Sequence, residues 1–97
     1  MALTLNGESP LKLTAELSLY PLQQDYIPII KSFIDDLLQE SDIEIARNAM
    51  STQICGDYDR IFEIVSHVLG KSVNAFGKQV LVCKFIPGDL GINHREH

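Results

Sequence analysis

Apolar residues along this chain switch between two spacings, and each switch marks an element. Leu11, Leu13, Ala15, Leu17 and Leu19 alternate with Lys12, Thr14, Glu16, Ser18 and Tyr20, which predicts a strand with one fully apolar face, ended by Pro21. Tyr26, Ile27, Ile30, Phe33, Ile34, Leu37 and Leu38 then recur at helical spacing. Asp25 is placed to cap this helix, and Pro28 falls in its first turn, where no intrahelical donor is lost. Ile43-Glu44-Ile45-Ala46 alternates again and leads through Arg47-Asn48 into the run Met50 to Gly56. Two strands joined by a tight connection fit this best, although the Gly of a standard hairpin turn is missing. Asp57 caps a second helix bearing Tyr58, Ile61, Phe62, Val65, Val68 and Leu69, with its stop at Gly70. Lys78 to Ile86, apolar on both faces, makes a last strand closed by Pro87-Gly88.

The order strand, helix, strand, strand, helix, strand is that of a split βαβ unit. It predicts an α+β, ferredoxin-like βαββαβ sandwich: a four-stranded antiparallel sheet with two helices on one face. Right-handed crossovers put both helices on the same side and leave the other side open. If Leu13, Ala15, Leu17 and Leu19 face the helices, Glu16, Ser18 and Tyr20 project from the open side. The neighbouring strand then presents either Ser51, Gln53 and Cys55 there, or Met50, Thr52 and Ile54. The first set is preferred because it sends Met50 and Ile54 to the core. The last strand adds either Leu81, Cys83 and Phe85 or Val80, Val82 and Lys84. Either choice gives an open face too apolar for water alone, so self-association through that face or a sheet edge is expected.

Against this pattern the run Asn48-Ala49-Met50-Ser51-Thr52-Gln53 stands out. It puts hydroxyls and amides in and around a central strand, where packing alone favours Val, Ile or Phe. Such groups need hydrogen-bond partners, which a small polar ligand or a second subunit can supply.

Composition narrows the function classes. Ninety-seven residues make one domain, 1–97, with an ordered core expected over about 11–87 and tail-like termini. A net charge of −5 and a pI near 4.9, with Lys and Arg scattered, argue against nucleic acid. No apolar run approaches the roughly 18 residues of a membrane span. The start lacks a basic and apolar leader, so a cytoplasmic location is expected. Cys55 and Cys83 stand 28 residues apart without a CxxC or a His beside them, and read as two small buried hydrophobes rather than as metal ligands or a redox pair. Asp35-Asp36 and Asp57/Asp59 read as a solvated helix face and a helix start. His67 falls on a helix, and His94 and His97 in the tail. No nucleophilic triad, phosphate-binding glycine pattern, metal centre or cofactor site is recognisable.

The segments Leu17-Ser18-Leu19-Tyr20-Pro21-Leu22, Tyr26, Asn48-Ala49-Met50-Ser51-Thr52-Gln53 and Gly56-Asp57-Tyr58-Asp59 together resemble the YkoF-like family, which binds thiamine or its hydroxymethylpyrimidine moiety. The resemblance spans roughly Leu13 to Phe85. It implies a ferredoxin-like domain used in tandem or as single domains that pair by oligomerisation. With one copy in this chain, the pairing it implies is a homo-dimer or homo-tetramer. The chemistry is compatible: an aminopyrimidine offers ring-nitrogen acceptors and an exocyclic amine, which Ser, Thr, Asn and Gln can read. Candidate ligand-binding residues are Ser18, Tyr20, Asn48, Ser51, Thr52 and Gln53. Glu16 is the candidate partner of the thiazolium charge, with Tyr20 or Phe85 as aromatic alternatives. The expected function is non-catalytic carriage or sensing of thiamine or its pyrimidine half. The alternative is a structural or regulatory oligomer whose polar face meets only another subunit. An enzyme using Glu16 or an aspartate as general base is the least supported, because no second catalytic group stands beside it.

Overall fold

The computed structural model describes residues 11–92. The expected tail character of the termini, and His94 and His97 with it, falls on residues outside that range. The elements are β1 (Lys12–Pro21), α1 (Ile27–Leu38), β2 (Glu44–Arg47), β3 (Thr52–Asp57), α2 (Tyr58–Phe76) and β4 (Gln79–Pro87). The sheet is antiparallel in the order β2-β3-β1-β4, so the ferredoxin-like arrangement expected from the spacing is the one formed. No described helix is long and apolar enough to cross a membrane.

The register settles which face each side chain takes. Ala15 pairs with Ile54 and Leu17 with Thr52 on one side of β1, and with Phe85 and Cys83 on the other. Leu13, Ala15, Leu17 and Ile54 pack against Phe33 and Leu37 of α1 and Ile61, Ile64, Val65 and Val68 of α2 to form the core. Each fully buried Leu or Ile contributes about 1.5–3 kcal/mol. The open face carries Thr14, Glu16, Ser18 and Tyr20 of β1. Gln53 and Cys55 lie beside them, with Val80, Val82, Lys84 and Ile86 on the far side. The choice left open for β4 thus falls on the Val80, Val82, Lys84 set, and Phe85 goes to the helix side, against Phe62 at 4.6 Å between ring centroids.

Four local expectations are corrected. The β2–β3 connection is longer than Arg47-Asn48, and β3 begins at Thr52, so Met50 sits at an exposed turn with 82% of its surface accessible rather than in the core. Asp25 does not cap α1: the N-cap position is Tyr26, without a side-chain cap bond. Asp57 does occupy the N-cap of α2 but makes no side-chain cap bond either, because its carboxylate takes the Lys12 ammonium at 2.7 Å. Finally, α2 runs through Gly70 to Phe76. The added turns are anchored by Ser72, which is buried and donates to Gln79 Oε1 at 2.9 Å. The helix ends at Gly77, whose φ of 92° suits a residue without Cβ. Gly56 is required for closeness instead: a Cβ there would meet Ile43 Cγ2 at 3.0 Å.

Arg60 of α2 ties the α1–β2 connection down. It bonds Glu40, Asp42 and Glu63, and the guanidinium holds the Asp42 carboxyl below its ordinary value of 3.8.

Candidate ligand-binding site

The β1–β3 ladder ends at Leu17↔Thr52, whereas β1 and β4 stay paired as far as Pro21↔Gln79. β1 therefore overhangs its β3 neighbour by the segment Ser18–Pro21, whose β3-facing backbone groups have no strand partner among the described residues. A cavity of about 480 Å³ occupies this gap, between the overhang, the β2–β3 connection and the first half of α1.

Because the cavity lies where strands end, it draws on both faces of the sheet. Leu17, Phe33, Ile30 and Ile34 supply an apolar floor; Ser18, Asn48, Ser51 and Thr52 supply polar groups; Tyr20 and Tyr26 stand at the mouth. The two tyrosines are about half exposed. Among the described residues no charged side chain lines it. An apolar, aromatic hollow with a few convergent polar groups is the kind of surface that suits a small molecule.

The polar groups are held by local bonds. Asn48 Oδ1 accepts from Met50 N at 2.7 Å and from Ser51 N at 2.9 Å, and Asn48 N donates to Ser51 O at 3.0 Å. This is an Asx turn, which commits the side-chain carbonyl and leaves the amide NH2 as the group Asn48 can offer. Ser18 Oγ donates to Met50 O at 3.3 Å, fixing the connection to the overhang. Ser51 Oγ donates to Glu16 Oε2 at 3.1 Å.

Of the residues singled out in the sequence, Ser18, Tyr20, Asn48, Ser51 and Thr52 meet at the cavity, and Glu16 and Gln53 do not line it. These two are cross-strand partners on the open face. Glu16 touches the cavity only through Ser51, and its other oxygen lies 3.7 Å from Lys84 Nζ. Its charge is therefore already met, which weighs against its expected role as cation partner. Phe85, packed on Phe62, is remote from the cavity as well.

Sequence reasoning missed Tyr26, Ile30, Phe33 and Ile34 as lining residues. Their helical spacing marked them as core, and nothing in a period tells a core face from a cavity wall. Elsewhere the acidic pairs are engaged by cations: Asp35 with Lys31 at 3.0 Å, Asp36 with Lys71 at 3.1 Å and Asp57 with Lys12 at 2.7 Å.

Comparison with known proteins agrees with the fold. The YKOF-related Family matches residues 12–86. None of the curated protein sequences matches. Among solved structures, a Streptococcus pneumoniae protein superposes with a TM-score of 0.75 at 20% identity, over 84% of this chain and 93% of that one. A candidate thiamine biosynthesis or salvage protein of Thermotoga maritima gives 0.70 at 16% identity, over 76% and 81%. A hypothetical protein of Methanocaldococcus jannaschii gives 0.70 at 25% identity, over 86% and 87%. The structural likenesses establish the fold, and the match over residues 12–86 establishes kinship: the chain belongs to the YkoF-related family.

Proposed function

We propose that this protein binds thiamine or its hydroxymethylpyrimidine moiety, without catalysis, in the cavity beneath the β1 overhang. The observation that carries the reading is the cavity's makeup: uncharged walls, two tyrosine rings at the mouth, and hydroxyl and amide groups beside an unpaired strand edge. A neutral aminopyrimidine fits each part. Its ring stacks on an aromatic face, and its ring nitrogens and amine pair with Ser18, Asn48, Ser51, Thr52 or the free backbone groups of the overhang. In thiamine the thiazolium would lie at the mouth against Tyr20 or Tyr26, by a cation–π contact rather than against Glu16. The kinship with the YkoF-related family and the likeness to the Thermotoga protein support the same ligand class. A non-catalytic role is supported by the lining, which among the described residues holds no carboxylate, imidazole, amine or thiol to act as an acid–base pair.

Assembly as a homo-dimer or homo-tetramer is part of the proposal. Val80, Val82 and Ile86 are exposed on the open face, and Tyr26 and Met50 at the cavity, apolar surface that a second subunit would cover. Thermal unfolding with and without each ligand tests the binding. Ligand at 100 times its dissociation constant adds about 2.7 kcal/mol of stability, and unchanged melting with both compounds at millimolar concentration would rule the reading out. Sedimentation that finds only monomer at high concentration would remove the assembly.

A further inference from the structure

At the end of β1 opposite the cavity, three side chains with metal-binding atoms converge. Glu44 and Cys55 are cross-strand partners in the β2–β3 ladder. Asp89 reaches them from the segment after β4, which folds back over the sheet: Gly88 N donates to Lys12 O at 2.8 Å, and Thr14 Oγ1 donates to Gly88 O at 2.9 Å. One ligand atom from each of Glu44, Cys55 and Asp89 lies within 4.8 Å of the others. Together with Lys12, Asp42 and Gly56 they border a hollow of about 310 Å³, distinct from the ligand cavity. Thr14 and Ser18 are four positions apart on β1, on the order of 13 Å along the strand.

The electrostatics of this cluster are incomplete. Two carboxylates and a thiol share one small volume, and Cys55 is 3% exposed. Glu44 Oε1 is sealed from solvent and has no hydrogen-bond partner among the described residues. A buried acceptor left without a partner is costly. Lys12 is the cation at the rim, and its ammonium is engaged by Asp57 at 2.7 Å. A cation held among the three would give the orphaned oxygen a partner.

We propose that Glu44, Cys55 and Asp89 form a divalent-cation site of Zn²⁺ type, with water from the hollow completing the coordination. The donor set selects the metal class. A thiolate with two carboxylates suits a borderline ion such as Zn²⁺ and disfavours Mg²⁺ and Ca²⁺, which take oxygen donors. Zinc–sulfur and zinc–oxygen bonds of about 2.0–2.3 Å require the ligand atoms to draw in by on the order of 1 Å, a movement open to Asp89, which is exposed. Cys55 Sγ lies 3.3 Å from Thr14 Oγ1, which can donate to it, and the S–H proton leaves to solvent as the thiolate–metal bond forms. The bound ion would pin the segment after β4 onto the sheet. Cysteine spacing in the sequence gave no sign of this site, because its other two ligands come from β2 and from beyond β4.

The experiment is titration of the full chain with Co²⁺ and then Zn²⁺, read by the cobalt–thiolate charge-transfer band and by proton release. It is run on the His94→Ala/His97→Ala background so that tail imidazoles cannot substitute. One ion per chain is expected, with a thiolate band that survives Cys83→Ala and disappears in Cys55→Ala. Glu44→Gln and Asp89→Asn should weaken binding by at least the roughly 10–100-fold that loss of an outer-shell partner costs. These two variants carry the test if Cys55→Ala does not fold, as judged by circular dichroism. A cobalt spectrum without a thiolate band, binding that vanishes with the two histidines, or affinity unchanged in both carboxylate variants would overturn the proposal.

Discussion

The two halves of β1 are built from the same alternation and end in opposite circumstances. From Lys12 to Leu17 the strand has partners on both sides, and Leu13, Ala15 and Leu17 are closed over by the helices. From Ser18 to Pro21 it keeps only β4, because β3 starts late, and a cavity takes the place of packing. The first half is stabilised by burial. The second gives up burial and leaves its β3-facing backbone, the Ser18 hydroxyl and the Tyr20 ring beside a space of ligand size. A fold can thus reserve a site by shortening one strand, without inserting a loop.

Substitutions in the two halves should therefore read out differently. The largest effect is expected from Ile54→Ala, fully buried opposite Ala15: a loss of about 2–5 kcal/mol in urea unfolding, with ligand affinity unchanged in the protein that remains folded. At the mouth the order reverses. Tyr26→Ala should leave stability within about 0.5 kcal/mol, while calorimetry with hydroxymethylpyrimidine shows a loss of about 1–3 kcal/mol, the usual value of a base–aromatic stack. If Tyr26→Ala destabilised the chain as much as Ile54→Ala, the distinction between the halves would be wrong.

Asn48→Ala joins the two behaviours, since it removes both acceptor bonds of the Asx turn. About 1–2 kcal/mol of stability should be lost, and ligand affinity should fall with it because the turn positions Ser51. The smallest effect concerns a region remote from both halves. Arg60 depresses the Asp42 carboxyl, so this pair's contribution is present above the ordinary value of 3.8 and lost as pH falls through the lower folded value. Asp42→Asn should flatten the acid limb of the unfolding midpoint against pH slightly, and added salt should shrink the difference because the pair is exposed.

Element order was legible from the periods alone, and so was the apolar face of β1. The oddity of the Asn48–Gln53 run also pointed to the segment that borders the cavity, since polar residues where packing favours Val or Ile signal another demand. What could not be read was register. Whether Gln53 and Glu16 line the cavity depends on where β3 begins, and that is fixed by a turn built from Asn48's own side chain, not by any alternation. Gly70 misled for a related reason: a glycine costs a helix only about 1 kcal/mol relative to alanine, which the anchoring of Ser72 on Gln79 can offset. The wall formed by Tyr26, Ile30, Phe33 and Ile34 looks in sequence like any core-facing stripe, because an apolar surface carries the same pattern whether a side chain or a ligand covers it.

The most direct test of the account is a two-dimensional amide NMR titration of the full chain with hydroxymethylpyrimidine. Saturable shifts confined to Ser18–Tyr20, Tyr26 and Asn48–Thr52, with Glu44 and Cys55 unmoved, are the predicted result. Shifts centred anywhere else, or none at millimolar ligand, would contradict a pyrimidine site beneath the β1 overhang.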